Sequence, residues 1–305
     1  MSVLIVGSIA YDGIKTPAGE VDMALGGSAT YSSLSASYYS PVKVVGVVGK
    51  DFAEKDLNLL KDKSIDIEGV HINKEKDTFY WKGYYEQDMG EAITISTHLN
   101  AFEDFNPVIP QSYKDAKYVF LANIDPDLQL NVLDQVEEPK LVLCDTMNFW
   151  INTKRDQLLE VFKRVDIILV NEGEAKQLCG TTNIQTAAKE LLSLGAMRVI
   201  IKKGGHGCLM FGKDSYFAAP AFPLETLVDT TGAGDTFAGG FTGYMSKVDE
   251  ISEENFRKAV VFGTTMASFT VQDFSVNKLL DLKKEDILKR YNTIKEITSF
   301  GDGGL

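Results

Sequence analysis

The chain is poor in cysteine, histidine and basic residues, and each shortage excludes something. Three of its 305 residues are cysteine and three are histidine. Cys144, Cys179 and Cys208 are odd in number, far apart and set in apolar runs. They read as reduced structural cysteines of a cytoplasmic protein rather than as a disulfide framework. His71, His98 and His206 are equally scattered, and no Cys or His pair has metal-ligand spacing, so a metal site made of side chains alone is not expected. Lysine and arginine total 31 against 43 acidic residues, a formal charge of −12. No global field therefore draws the chain to nucleic acid or an anionic membrane, and an anionic ligand must be held by local groups. No apolar stretch approaches the roughly 20 residues that span a bilayer. The start, Met1-Ser-Val-Leu-Ile-Val-Gly-Ser8, lacks the basic flank of a signal peptide and fits a first strand. Repeats, low-complexity tracts and linkers are absent too.

What is present is a 44% hydrophobic composition, enough for a large folded core. Short apolar, β-branched runs recur at Val3–Val6, Val42–Val48, Tyr118–Leu121, Leu141–Cys144, Ile167–Val170 and Val199–Ile201, the pattern of strands covered on both faces. Helical spacing lies between several of them, at Lys55–Lys63, Asp127–Val136, Asp156–Arg164 and Ile184–Leu194. The alternation predicts a three-layer α/β/α sandwich with a mainly parallel central sheet, which binds ligands beyond the carboxyl ends of its strands. One segment breaks the rhythm. Thr78–Tyr85 and Ala92–Thr97 read as strands joined by a polar turn around Gln87-Asp-Met-Gly90, so residues 70–106 are expected to form a small β lid on a core of 1–69 and 107–305. The lid aromatics Phe79, Tyr80, Trp81, Tyr84 and Tyr85 would cover a ligand, meet a second subunit or simply pack. Exposed lid edges invite a homodimer. The C-terminal Gly301-Asp-Gly-Gly-Leu305 reads as a frayed tail.

The strongest local signal is Asp229-Thr-Thr-Gly-Ala-Gly-Asp235, followed by an apolar helical run, Thr236–Met245. Gly232, Ala233 and Gly234 let the backbone approach a ligand, and the N–H groups opening the helix form an anion site suited to a phosphoryl group. Asp235 inside that turn is either a helix cap or the base that readies a hydroxyl. A carboxylate suffices there, because phosphoryl transfer through a loose transition state needs only late proton removal. Neither Gly-x-x-x-x-Gly-Lys-Ser/Thr nor Gly-x-Gly-x-x-Gly after a strand occurs, which disfavours P-loop enzymes and nicotinamide dehydrogenases. Asp12, before Gly13, is either a turn residue or a carboxylate at the sheet's carboxyl edge that accepts substrate hydroxyls. Gly26 and Gly27 either form a plain turn or permit close approach to the same substrate.

The run through Asp235 resembles the C-terminal signature of the ribokinase-like carbohydrate kinases, the PfkB family, and other segments match in the family's order. Val3–Asp12 resembles the first strand and its hydroxyl-binding aspartate, Gly26-Gly27-Ser-Ala-Thr30 the N-terminal signature, and Val45–Phe52 the strand and Gly-x-Asp step that follows. The likeness runs from about residue 3 to about residue 290, lid included. It implies that Asn171 and Glu174 lie near the phosphates of ATP, with Mg²⁺ held by Glu174 through water, though a capping role competes. It places Lys202, Lys203, Gly204, Gly205 and Gly207 beside the nucleotide, and Asp229 near a K⁺ site. Departures bear on the substrate. Tyr31 stands where many members have asparagine, and the loose match Asp145-Thr-Met-Asn-Phe-Trp150 lacks the arginine that meets sugar phosphates. The implied function is an ATP-dependent kinase that phosphorylates a hydroxymethyl group of a small neutral sugar or polyol. A nucleoside kinase is the alternative, and a ligand-binding member without turnover a third reading.

Overall fold

The computed structural model describes residues 1–300; the tail read at 301–305 lies outside the described residues. Thirteen strands are present: β1 Val3–Val6, β2 Ala10–Thr16, β3 Gly19–Gly26, β4 Val42–Val48, β5 Ile65–Ile72, β6 Phe79–Tyr84, β7 Ile93–His98, β8 Tyr118–Leu121, β9 Leu141–Cys144, β10 Ile167–Asn171, β11 Arg198–Lys202, β12 Cys208–Phe211 and β13 Tyr216–Ala219. Eleven α-helices accompany them: α1 Ser28–Ser37, α2 Glu54–Asp62, α3 Pro126–Leu133, α4 Asn148–Thr153, α5 Arg155–Phe162, α6 Glu172–Cys179, α7 Ile184–Leu192, α8 Ala233–Val248, α9 Glu253–Thr270, α10 Asn277–Leu280 and α11 Lys284–Ile297.

Nine strands form one sheet in the order β13-β12-β11-β10-β9-β8-β1-β4-β5. Its strands run parallel from β11 to β5, and β12 and β13 are added at one edge by antiparallel pairing. Period-two alternation explains why its strands are apolar throughout. In β1, Val3 and Ile5 join a core with α1, α8 and α9, while Leu4 and Val6 join the opposite core with α3, α5, α6 and α7. The helices thus cover both faces, giving the three layers expected. Each of the six expected central runs is a strand of this sheet.

The small sheet is ordered β3-β2-β6-β7, with β2 and β6 parallel and the outer pairs antiparallel. It therefore takes in Ala10–Thr16 and Gly19–Gly26 as well as the expected strands, while β5 keeps residues up to Ile72 in the large sheet. Ala10–Gly26 escapes sequence reading because Gly13, Pro17 and Gly19 look like punctuation. Asp12 accordingly lies within β2 rather than in a turn. Gly13 belongs there for space, since a Cβ at that position would lie 2.4 Å from the Tyr80 hydroxyl, and the register shifts between Asp12 and Ile14.

Two helices, α1 and α8, carry residues of interest and approach backbone to backbone at glycines of α8. A Cβ on Gly239 of α8 would lie 2.1 Å from the Ser32 carbonyl oxygen of α1, and one on Gly243 would lie 2.8 Å from Ala36. Ser35 Oγ donates to the Thr236 carbonyl at 2.7 Å. This contact fixes the N-terminus of α8 against Tyr31.

Candidate active site

Gly232 precedes α8 with φ 72°, in the left-handed region that favours glycine. The ring of Tyr31 occupies the space a side chain there would need, 2.4 Å from the position of its Cβ. No side chain caps α8; Ala233 N–H donates to the Thr230 carbonyl at 3.3 Å, and the positive end of the helix dipole favours an anion at this turn. Asp235 sits in that turn. Burial pushes its carboxyl up to about 7, Asp145 adds to the shift, and Lys202 opposes it.

Lys202, at the end of β11, donates to Asp145 Oδ2 at 2.7 Å, and the two side chains are only 18% and 5% exposed. The ammonium lies 3.0 Å from where a Cβ on Gly234 would be, which places a cation beside the opening of α8. Burial works against that charge, but Asp145 and Glu174 hold the lysine protonated. Glu174 is buried and shifted upward, chiefly by burial, with Lys202 opposing and Asp145 adding. With Asn171 it closes a capping box: Asn171 N–H donates to Glu174 Oε2 at 2.7 Å, and Glu174 N–H to Asn171 Oδ1 at 2.8 Å. The capping role anticipated for this pair is thus present, and it points the carboxylate toward the same cluster.

Asp12 is buried, and Gly26 gives it room, because a Cβ on Gly26 would stand 1.9 Å from its Oδ2. Burial first, then Asp229 and Asp235, push its carboxyl up to about 8. Gly27 begins α1 with φ 94°. The Tyr31 hydroxyl is buried without a partner. Asp229 Oδ1 accepts from the Thr231 N–H at 2.9 Å, while its Oδ2 is buried without a partner. Asp12, Tyr31, Asp229, Gly232–Gly234 and Asp235 therefore form one group, with Lys202, Glu174 and Asn171 adjoining it.

Lys203 lies further out, lining a cavity of about 470 Å³ with His206, Cys208, Leu209, Pro220 and Ile297. Gly204 and Gly205 lie on an exposed turn with open space around them, whereas Gly207, φ 81°, packs against Ala219 and Pro220. Two features escape the sequence reading. Asp145 anchors Lys202, and its signal is a carboxylate ending a buried parallel strand. Tyr85, just past β6, shares a 3.0 Å hydrogen bond with Thr231 Oγ1, joining the lid to the turn before α8. No group of three or more His, Cys, Asp and Glu among the described residues is arranged to hold a metal ion.

The relatives of the chain define its class, a kinase acting on hydroxyl groups. The profile of the pfkB family carbohydrate kinases matches residues 2–282, and the chain belongs to that family. It is 30% identical to the cytidine kinase of Thermococcus kodakarensis over 259 residues, 83% of this chain and 91% of that protein. It is 28% identical to a ribokinase of Lactococcus lactis over 274 residues, 85% of this chain and 88% of that one. A putative ribokinase II of E. coli, solved with ATP and Mg²⁺, superposes with a TM-score of 0.78 at 18% identity, covering 97% of this chain and 99% of that one.

Proposed function

We propose that this chain transfers the γ-phosphate of ATP to the primary hydroxymethyl group of a nucleoside, with Asp235 as the base. The observation that carries the kinase reading is the meeting of Asp235, the uncapped start of α8 and the Lys202 ammonium at one point. Asp235 takes the proton of the acceptor hydroxyl as its oxygen bonds to phosphorus and the bond to ADP breaks. Lys202 and the N–H groups of α8 offset the negative charge of the phosphoryl group in transit. Asp12 accepts hydrogen bonds from the acceptor's other hydroxyls. Tyr85 and Thr231 hold the lid over the reacting groups and keep water away.

Glu174 and Asn171 would hold Mg²⁺ through its water shell, and that ion, when bound, neutralises phosphate charge. Lys203 and the cavity beyond it would take the nucleotide. Asp229 Oδ2, buried without a partner, suits a monovalent cation such as K⁺. A neutral acceptor is favoured because the charges around Asp12 are those of Asp229 and Asp235, which repel a second phosphate. The sequence reading set free sugars and polyols first. The likeness to a cytidine kinase over 83% of the chain supports a nucleoside instead. ADP release from MgATP across nucleosides, free sugars, polyols and sugar phosphates tests this. Turnover is expected with nucleosides, and turnover confined to free sugars or sugar phosphates would overturn the acceptor assignment.

A further inference from the structure

The structure separates four aromatic residues of the lid, Phe79, Tyr80, Trp81 and Tyr85, by task. Phe79 stacks on Phe102 with centroids 5.5 Å apart. The Tyr80 hydroxyl donates to Asp22 Oδ1 at 2.5 Å, and that of Tyr85 meets Thr231. Trp81 is placed differently. It pairs with Asp12 across β2 and β6, Asp12 pairs with Ala24, and Trp81 pairs with Thr97. Paired residues project to the same face, so Ala24, Asp12, Trp81 and Thr97 form one row across all four strands. The Asp12 carboxylate on that row has Gly26, Asp229 and Asp235 as its neighbours, so the row faces the site.

The indole is laid along the sheet. A Cβ on Gly83 would stand 2.3 Å from Trp81 Cζ2 and 2.5 Å from Cη2, so the ring lies over the bare backbone of Gly83. Its Nε1 donates to Thr94 Oγ1 at 3.1 Å, which fixes the ring's azimuth. The side chain remains half-exposed. An aromatic plate and the Asp12 carboxylate thus share one face of the lid, on neighbouring strands that pair at Asp12 and Trp81. A molecule matching both features carries a planar ring directly attached to a polyhydroxylated one.

We infer that Trp81 is the stacking platform for the acceptor's base and is the residue that makes a nucleoside a better acceptor than a free sugar. The inference rests on the nucleoside reading above. Gly83 and Thr94 are positioning residues, one making room for the indole and the other orienting it. Stacking on an aromatic face tolerates any base, so the platform favours nucleosides as a class and leaves the choice among them to polar contacts.

The chain has two tryptophans, which makes a direct optical test available. In a Trp150→Phe protein, Trp81 is the only reporter, and titration with cytidine or adenosine is expected to quench or shift its emission while ribose leaves it unchanged. In steady-state assays, Trp81→Leu is expected to raise the nucleoside KM about tenfold or more, the size of loss a base–aromatic stack carries. Trp81→Phe should recover most of that loss, which a merely structural role for the indole does not predict. Nucleoside turnover with a silent Trp81 and a KM within twofold in Trp81→Leu would overturn the platform and leave the acceptor assignment standing. Absence of nucleoside turnover in the unmodified enzyme would overturn both. If Trp81→Leu does not fold, the Trp150→Phe titration decides alone.

Discussion

In the proposed reaction single residues set the chemistry, and Asp235 sets most of it. Asp235→Asn is expected to lower kcat by roughly 10²–10⁴, the range for loss of a positioned general base. A variant keeping a tenth of wild-type turnover would remove Asp235 from that role. Because the free enzyme holds this carboxyl near 7, kcat/KM should fall as pH drops below about 7, where the base is protonated. Asp145 raises that value and Lys202 lowers it. Asp145→Asn should therefore move the acid limb to lower pH and Lys202→Met should move it to higher pH. A pH profile unmoved by either variant would contradict the charge cluster described here. Asp235 was legible in the sequence because its turn is contiguous. The pairing of Asp145 with Lys202 was not, because the two are 57 residues apart and only the sheet brings β9 and β11 into reach.

At the scale of elements, α1, α8 and the lid position those residues. The parallel strands were legible because each is a run of residues buried on both faces. The strands of the lid that precede α1 were not, because glycines placed for steric room resemble turn glycines. Gly239→Ala should destabilise the protein by about 1–3 kcal/mol, the cost of overpacking, because its Cβ would meet the Ser32 carbonyl at 2.1 Å. Gly205→Ala, with open space around it, should leave the denaturation midpoint within error. The Tyr85–Thr231 hydrogen bond links the lid and the turn before α8. Tyr85→Phe is expected to raise the acceptor KM and to increase ADP formed per acceptor phosphorylated, as water reaches the site. An unchanged ratio would show that the lid closes without this bond.

At the scale of the whole molecule, the ligand-free protein holds carboxyls that are costly to ionise. Asp12 stands near 8 in the folded state against an ordinary value of 3.8, for reasons of burial first and then Asp229 and Asp235. The folded state therefore binds this proton more tightly than the unfolded chain does. Its contribution to stability is complete below about pH 4 and is lost as pH rises toward 8. Asp12→Asn removes the titration, so it should raise the unfolding free energy of the ligand-free protein at pH 8.5 by an amount on the order of a few kcal/mol. Near pH 3.5, where both states hold the proton, the same change should have little effect. Equal effects at both values would mean that Asp12 ionises freely.

The central claim is that Asp235 drives phosphorylation of a nucleoside's primary hydroxyl. The most direct measurement is identification of the product from MgATP and a nucleoside by mass and ³¹P NMR, with Asp235→Asn run alongside. A nucleoside 5′-monophosphate formed by the wild type and nearly lost in the variant is the predicted result. A phosphate on any other hydroxyl, or a product formed equally by Asp235→Asn, would contradict it.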